Sequence, residues 1–133
     1  MDVRQIMSTK IVTVTLDDKL TRVKELFDRH EFHHLLVIDQ QQLWGVVSDR
    51  DLLKALSPNL GTVAETAKDV ATLNKRVHQI MTRKPIVLRE DATVDEAIRL
   101  FNQHRISCLP VVDRENRPLG IVTWRDLLKA WPG

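Results

Sequence analysis

The chain has 133 residues, of which 43% are hydrophobic and 29% are charged, and its formal net charge is +2. This length and composition are typical of an ordinary globular protein, and no segment is biased enough to predict disorder. Acidic and basic residues are interspersed without a basic stripe, so nucleic-acid binding is not expected. No apolar run approaches a membrane span and the N-terminus has no signal-peptide core, so we expect a cytoplasmic protein without membrane association.

The first part of the chain alternates short apolar runs with helical patterns. A turn ending at Met7 precedes the first apolar run, and Asp17 or Asp18 is a candidate N-cap for the helix that follows. Leu20, Val23 and Leu26 recur at helical spacing. The predicted strands cover residues 11–14, 35–39 and 43–48, and residues 49–56 are predicted to form a helix.

The second part of the chain repeats the first. A shift of 74 residues places residues 3–7 on 77–81, and one inserted residue later aligns residues 50–55 with the identical residues 125–130. The predicted order in each copy is therefore β-α-β-β-α, with Asp91 as the candidate N-cap in the second copy. We predict a first repeat at residues 1–57, a partly helical linker at 58–74 and a second repeat at 75–133.

Each repeat contains a glycine followed three residues later by a hydroxyl residue and, three residues after that, by an aspartate. Ser48 with Asp51, and Thr123 with Asp126, match the capping box at a helix start. A carboxylate in this position can also accept hydrogen bonds from both hydroxyls of a ribose, as acidic residues do in dinucleotide sites. Capping and nucleotide binding are compatible roles. The recurrence of the motif after a glycine in both copies favours nucleotide binding at one site or more.

Two β-α-β-β-α repeats that each end in this motif resemble a tandem pair of CBS domains. The resemblance covers nearly the whole chain, and residues 104–113 are typical of the second repeat, whereas Leu36 stands where Pro110 is found in that repeat. It implies an α/β (α+β) fold in which the repeats pack through their sheets with pseudo-twofold symmetry. It also implies that such modules bind adenosine nucleotides and often form homodimers. Because the sequence starts at Met1 and ends soon after the second repeat, we expect a freestanding module.

The resemblance further implies two composite ligand sites, each combining the glycine-to-aspartate segment of one repeat with strand residues of the other. The first site would comprise Val46, Ser48, Arg50, Asp51, Thr82, Pro85, Val87, Ile106 and Ser107. The second would comprise Ile121, Thr123, Arg125, Asp126, Ser8, Ile11, Thr13, Phe32 and His33. The first site fits the family pattern better, and bulky Phe32 and His33 predict a weaker or empty second site.

Other chemistry finds little support in the sequence. His33 and His34 are adjacent on a predicted strand and point to opposite faces, and no histidine or cysteine spacing matches a metal site. The single cysteine, Cys108, excludes an intramolecular disulfide. No P-loop, GxGxxG or GxSxG motif occurs, so no catalytic residues are expected.

The sequence therefore predicts a regulatory module, not an enzyme, that binds an adenine nucleotide and signals to an unidentified protein partner by a population shift. AMP is the expected ligand, and ATP, S-adenosylmethionine and NADH remain open because all of them carry adenosine. A structural or protein-interaction module with empty clefts is the alternative, and an enzyme of unrecognised type also stays open. We expect a homodimer in which Trp124 and Trp131 help to form the interface.

Overall fold

The structure is a computed structural model and describes residues 1–132. It confirms the β-α-β-β-α order in both halves of the chain and the α+β class. The strands are β1 (Thr13–Thr15), β2 (His34–Asp39), β3 (Gln42–Ser48), β4 (Thr82–Arg83), β5 (Leu88–Arg89), β6 (Cys108–Val112) and β7 (Pro118–Thr123). The helices are α1 (Leu20–Arg29), α2 (Asp49–Ala55), α3 (Ala67–Ala71), α4 (Val77–Ile80), α5 (Val94–Gln103) and α6 (Trp124–Ala130), and Val3–Gln5 and Thr72–Asn74 form 3-10 turns.

The strands form two sheets. One has four strands in the order β1-β2-β3-β4, and the other has three in the order β5-β6-β7. In each sheet the strand before the long helix runs parallel to the strand after it, with Thr13 opposite Leu36 and Leu88 opposite Val111. The antiparallel partner of β3 is β4, a two-residue strand that was not predicted and that begins at Thr82.

The chain divides into two compact units that exchange their leading segments. Unit 1 consists of Met1–Val12, Gln40–Leu43 and the chain from Lys84 onward, and unit 2 consists of Thr13–Asp39 and Trp44–Arg83. Each unit thus holds the body of one repeat and the first residues of the other. The repeat and linker boundaries drawn from the sequence describe a different division, and they stay a prediction.

Backbone hydrogen bonds fasten each exchanged segment to its host unit. In unit 1, the Val3 amide donates to the Ala92 carbonyl at 2.9 Å, and Ser8 and Ile121 exchange two bonds of 2.9 Å. In unit 2, the Val77 amide donates to the Asp18 carbonyl at 2.9 Å. The Ser8–Ile121 bonds satisfy backbone groups at the edge of the sheet that ends in β7, and the other two bonds join the exchanged segments to the loops before α5 and α1.

Each unit has its own apolar core, to which the exchanged segment contributes a valine. Val3 and Val77 occupy corresponding repeat positions and are both fully buried. The core of unit 1 comprises Val3, Leu88, Ala92, Ala97, Phe101, Leu109, Val111, Val122 and Leu127. The buried apolar residues of unit 2 include Val14, Leu20, Val23, Leu35, Leu36, Val37, Val46, Val47, Leu52, Val77 and Met81.

The predicted N-caps of the two long helices are wrong. Helix α1 has Lys19 at its N-cap, and Asp18 instead accepts a hydrogen bond from the Thr15 amide at 2.8 Å. Helix α5 is capped by Thr93, whose hydroxyl accepts from the Glu96 amide at 3.1 Å, and not by Asp91. The first strand also starts at Thr13 instead of residue 11, because its pairing with β2 begins with Thr13 opposite Leu36.

Two glycines permit the exchanged segments to come close to the sheets. A Cβ atom built on Gly45 would lie 2.8 Å from the Thr82 carbonyl oxygen and 2.8 Å from the Met81 sulfur. A Cβ on Gly120 would lie 2.8 Å from the Ser8 carbonyl oxygen and 2.7 Å from the Met7 sulfur. At both positions a side chain would collide with a neighbouring carbonyl oxygen, so glycine is required for this close approach.

We expect Gly45→Ala and Gly120→Ala each to lower the free energy of unfolding by about 1–3 kcal/mol, the usual cost of overpacking a dense interior. The added methyl group must displace a carbonyl oxygen that is already fixed by strand pairing or bridging. Urea-induced unfolding monitored by circular dichroism measures the change. Variants as stable as the original chain would show that the exchanged segments are not held against these glycines.

Candidate functional site

The two hydroxyl–aspartate pairs form capping boxes, as predicted. The Ser48 hydroxyl accepts from the Asp51 amide at 3.1 Å, and the Asp51 carboxylate accepts from the Ser48 amide at 2.8 Å. In the second repeat, the Asp126 carboxylate accepts from the Thr123 amide at 2.8 Å and from its hydroxyl at 3.1 Å. All four side chains are half-buried. Each carboxylate is therefore fixed in orientation and still reaches the surface.

Each capping box lies next to the exchanged segment in its own unit. In unit 2, Val46 on β3 pairs with Thr82 on β4. In unit 1, Ile121 on β7 is bridged to Ser8. Strand β3 runs from Val46 directly into the Ser48 cap, and β7 runs into the Thr123 cap in the same way. Both units thus place a hydroxyl residue of the other repeat's leading segment beside the strand that ends in the aspartate motif.

The predicted site residues divide between the two units. Of the first set, unit 2 holds Val46, Ser48, Arg50, Asp51 and Thr82, and unit 1 holds Pro85, Val87, Ile106 and Ser107. Of the second set, unit 1 holds Ile121, Thr123, Arg125, Asp126, Ser8 and Ile11, and unit 2 holds Thr13, Phe32 and His33. Arg50 and Arg125 are exposed, so their guanidinium groups are accessible from solvent.

A histidine–aspartate contact at the start of α2 was not predicted. The His33 Nδ1 atom lies 2.7 Å from the Asp49 carboxylate, and the Asp49 amide donates to the His33 carbonyl at 3.0 Å. Sixteen residues separate the pair, so the contact depends on where β2 and α2 meet. His33 precedes β2 and Asp49 begins α2, and because β3 lies between these elements the contact could not be predicted from the sequence.

Aromatic residues hold the segment that leads to His33. The Phe32 ring is stacked on His30 with centroids 5.0 Å apart, and it lies 5.7 Å from the Phe27 ring of α1. Phe32 is therefore packed against its own repeat and half-buried there.

The corresponding place in the second repeat has different chemistry. Trp124 stands where Asp49 stands in the first repeat, and Ser107 stands where His33 does. The Trp124 ring lies 4.9 Å from the buried Phe101 ring of α5 and remains 45% exposed. The two copies therefore share their capping boxes but differ in charge beside them.

Within residues 1–132, no cluster of three or more histidine, cysteine, aspartate or glutamate side chains is arranged to hold a metal ion. Across the same residues, no helix has both the length and the apolar character needed to cross a bilayer.

The chain belongs to the CBS domain family, whose model matches residues 3–58 and again residues 77–133. A CBS domain-containing protein of Dictyostelium discoideum is 34% identical over 128 residues, which cover 95% of this chain and 88% of that protein. The resemblance inferred from the repeated motif is thus confirmed.

Solved structures of similar proteins include ligand complexes. The protein CBSX2, a CBS-pair protein of Arabidopsis thaliana, was solved in complex with AMP; it is 28% identical, with a TM-score of 0.79, over 97% of this chain and 94% of that chain. Another CBS domain pair, solved with 5′-methylthioadenosine and S-adenosyl-L-methionine, is 27% identical with a TM-score of 0.79, over 98% of this chain and 94% of that one.

Other similar proteins are longer than this chain. The chain spans 22% of the inosine-5′-monophosphate dehydrogenase of Methanocaldococcus jannaschii, with 29% identity over 126 residues. It spans 48% of the cytosolic domain of the Mg²⁺ channel MgtE, solved in complex with ATP, with 29% identity and a TM-score of 0.76. The same fold therefore occurs within larger proteins of unrelated activity.

Burial makes His34 a source of acid sensitivity. Loss of hydration lowers the pKa of the His34 imidazole, and the Asp49 carboxylate nearby offsets this effect in part. The unfolded chain then binds more protons than the folded chain, so stability is retained above the ordinary histidine pKa and declines as pH falls through the lowered value. We expect His34→Gln to reduce this decline, measured as the free energy of unfolding between pH 7.5 and 5.

The matched control is His104→Gln, which removes an exposed histidine at the end of α5. An acid-induced loss of stability that is the same in the original chain and in His34→Gln would contradict the role given to His34.

Proposed function

We propose that the chain is a regulatory module that binds an adenosine nucleotide, with AMP as its ligand. The observation that carries the proposal is the paired arrangement of Ser48–Asp51 and Thr123–Asp126, each ending a strand that lies beside the other repeat's leading segment. Proteins similar along most of this chain were solved with AMP, and with S-adenosyl-L-methionine and 5′-methylthioadenosine. All three ligands share the adenosine group.

The capping geometry is compatible with ribose binding. The bonds from the Ser48 and Thr123 amides both end on the Oδ2 atom of the partner carboxylate. An ionised carboxylate offers about four acceptor positions on two oxygens, so the cap leaves acceptor capacity for the two ribose hydroxyls. Because the cap fixes each carboxylate before the ligand arrives, less side-chain entropy is lost on binding.

We propose that the remaining residues of the two predicted sets complete the ligand sites. Val46 and Ile121 would contribute apolar surface for adenine, and Thr82 and Ser8 would contribute hydroxyl groups on the paired segments. The exposed Arg50 and Arg125 would meet the phosphate. The first set, with Ile106 and Ser107, is proposed to bind more tightly than the second.

The proposed role is regulatory, not catalytic, and the proposed location is the cytoplasm. A ligand that prefers one arrangement of the chain shifts the population toward it, by no more than its difference in affinity for the two states. A protein partner would recognise the favoured arrangement. In the similar proteins the fold accompanies an enzyme in one case and a channel in another, which suits a module that reports on a ligand to different partners.

We expect AMP at about 100 times its dissociation constant to stabilise the chain by about 2.7 kcal/mol and to raise its melting temperature by several degrees. Asp51→Asn and Asp126→Asn should each reduce the rise, and the double variant should abolish it. Differential scanning calorimetry measures the effect, with ATP, S-adenosylmethionine, NADH and GTP run in parallel.

The matched control is Asp17→Asn, which removes an exposed carboxylate of the loop before α1 and should leave the rise unchanged. A larger rise in melting temperature with another adenosine ligand would identify that compound, and not AMP, as the ligand. No rise with any adenosine ligand would contradict the proposal and favour the alternative, a structural or protein-interaction module with empty clefts.

The proposed module is a homodimer, and exposed apolar side chains on α6 and directly after it support this. Trp124, Leu128 and Trp131 are 45%, 70% and 72% exposed. Trp124 and Leu128 are four residues apart on one face of α6, and Trp131 comes directly after the helix ends at Ala130. Leu53, at the position of Leu128 in the first repeat, is 74% exposed. Large exposed apolar side chains such as these are typical anchors of protein interfaces.

We expect Leu128→Glu to convert the dimer into a monomer, because a carboxylate buried at an interface without a partner is costly. Sedimentation velocity at micromolar concentrations measures the mass. Lys129→Glu, which changes the charge of the adjacent exposed residue, is the control. A chain that sediments as a monomer without any substitution would contradict the proposal.

A further inference from the structure

The turn between β2 and β3 has a backbone conformation that its own residues disfavour. Gln40 and Gln41 separate the end of β2 from the start of β3, and their φ angles are 49° and 66°. Positive φ at both central residues is typical of the type I′ hairpin turn, in which Asn-Gly is strongly preferred. In this region of φ a Cβ atom crowds the following carbonyl oxygen, so the two glutamines strain the turn.

Three hydrogen bonds within unit 1 hold this turn against the turn between β6 and β7. The Leu43 amide donates to the Asn116 carbonyl at 2.9 Å, and the Asn116 side-chain amide donates back to the Leu43 carbonyl at 3.0 Å. The Gln42 side-chain amide donates to the Glu115 carbonyl at 3.0 Å. Leu43 is buried and Asn116 is half-buried, so water competes weakly for the first two bonds. We call these three bonds the hairpin clasp.

The turn between β6 and β7 is rigid on its own. One oxygen of the Asp113 carboxylate accepts from the amides of Glu115 and Arg117, each at 2.9 Å. The other oxygen accepts from the Arg117 guanidinium at 2.8 Å. Asn116 also has a positive φ of 63°, which asparagine tolerates better than glutamine does. This turn therefore presents the backbone and side chain of Asn116 in a fixed orientation, and the strain lies in the first turn.

We propose that the hairpin clasp stores strain: it holds Gln40 and Gln41 in a conformation that the free turn would leave, so the start of β3 opens locally while both cores stay folded. Strand β3 begins in unit 1 with Gln42 and Leu43 and continues in unit 2 with residues 44–48. The clasp is therefore a conformational device at the point where one strand passes from unit 1 to unit 2, and it does not depend on a ligand.

Opposing contributions set how often the clasp opens. Three hydrogen bonds and the burial of Leu43 favour the closed state, whereas relief of two positive φ angles favours the open state. Strained backbone of this kind persists only where surrounding contacts hold it. Because the Leu43 amide donates across the clasp, its hydrogen exchange requires opening and reports the opening equilibrium.

The test is native-state hydrogen exchange of the Leu43 amide in the full chain, followed by NMR. We expect Asn116→Asp, which keeps the shape of the side chain and removes its donor, to accelerate this exchange about tenfold, the loss of one hydrogen bond. Asn116→Gly accepts the same positive φ and should accelerate exchange in the same direction. Asn102→Asp makes the same chemical change on the exposed surface of α5 and should leave the rate unchanged.

Replacing the strained turn should have the opposite effect. Gln40→Asn combined with Gln41→Gly supplies the residues that a type I′ turn prefers, so the closed state loses its strain. We expect exchange of the Leu43 amide to slow about tenfold. Adding Asn116→Asp to this turn should return the rate close to that of the original chain, since one change offsets the other.

The amides of Val3 and Val77, which bond the exchanged segments, separate local opening from a general loss of stability. Their exchange should stay unchanged in the Asn116 variants. Equal acceleration at Leu43, Val3 and Val77 would overturn the proposal, as would an unchanged Leu43 rate in both Asn116 variants. An Asn-Gly turn that fails to slow exchange would show that the original turn stores no strain, which also overturns it. All measurements use the chain without nucleotide, so they do not test the proposed function.

Discussion

The structure depends on the close approach between each exchanged segment and a glycine-bearing strand. At Gly45 and Gly120 the neighbouring carbonyl oxygen comes so near that no side chain fits. This approach lets Thr82 pair with β3 and Ser8 bridge to β7, and it brings Val77 and Val3 into the apolar cores. The glycines therefore allow each exchanged segment to pack against the strand of the other repeat. The aspartate motif lies beside the exchanged segment because it comes at the end of the same strand.

That arrangement lets the duplicated motif cap a helix and leaves acceptor atoms for the ribose binding that we propose. Helix capping engages one oxygen of each aspartate and fixes its direction, and the acceptor capacity that remains suits a ribose. Duplication then allows the copies to diverge beside an unchanged cap. The first copy has the His33–Asp49 contact, whereas the second has Ser107 and the exposed Trp124 at the same positions.

Local features were predictable from the sequence and contacts between distant segments were not. The caps of α2 and α6 depend on residues three positions apart, and the strand at His34–Asp39 follows from a continuous apolar run. Two local predictions were nevertheless wrong, because the Asp18 carboxylate accepts from the Thr15 amide and α5 starts directly after Thr93, whose hydroxyl caps it in place of Asp91. The contact between His33 and Asp49 could not be derived, since it requires knowing where β2 ends relative to α2.

The central claim is that the capping aspartates and the segments beside them bind an adenosine nucleotide. The most direct measurement is a titration of the ¹⁵N-labelled chain with AMP, followed by amide chemical shifts. We predict that the amides of Ser48, Asp51 and Thr82, or their counterparts Thr123, Asp126 and Ser8, shift with saturation and no longer do so in the double variant Asp51→Asn, Asp126→Asn. Shifts located elsewhere, or unchanged in the double variant, would contradict the account.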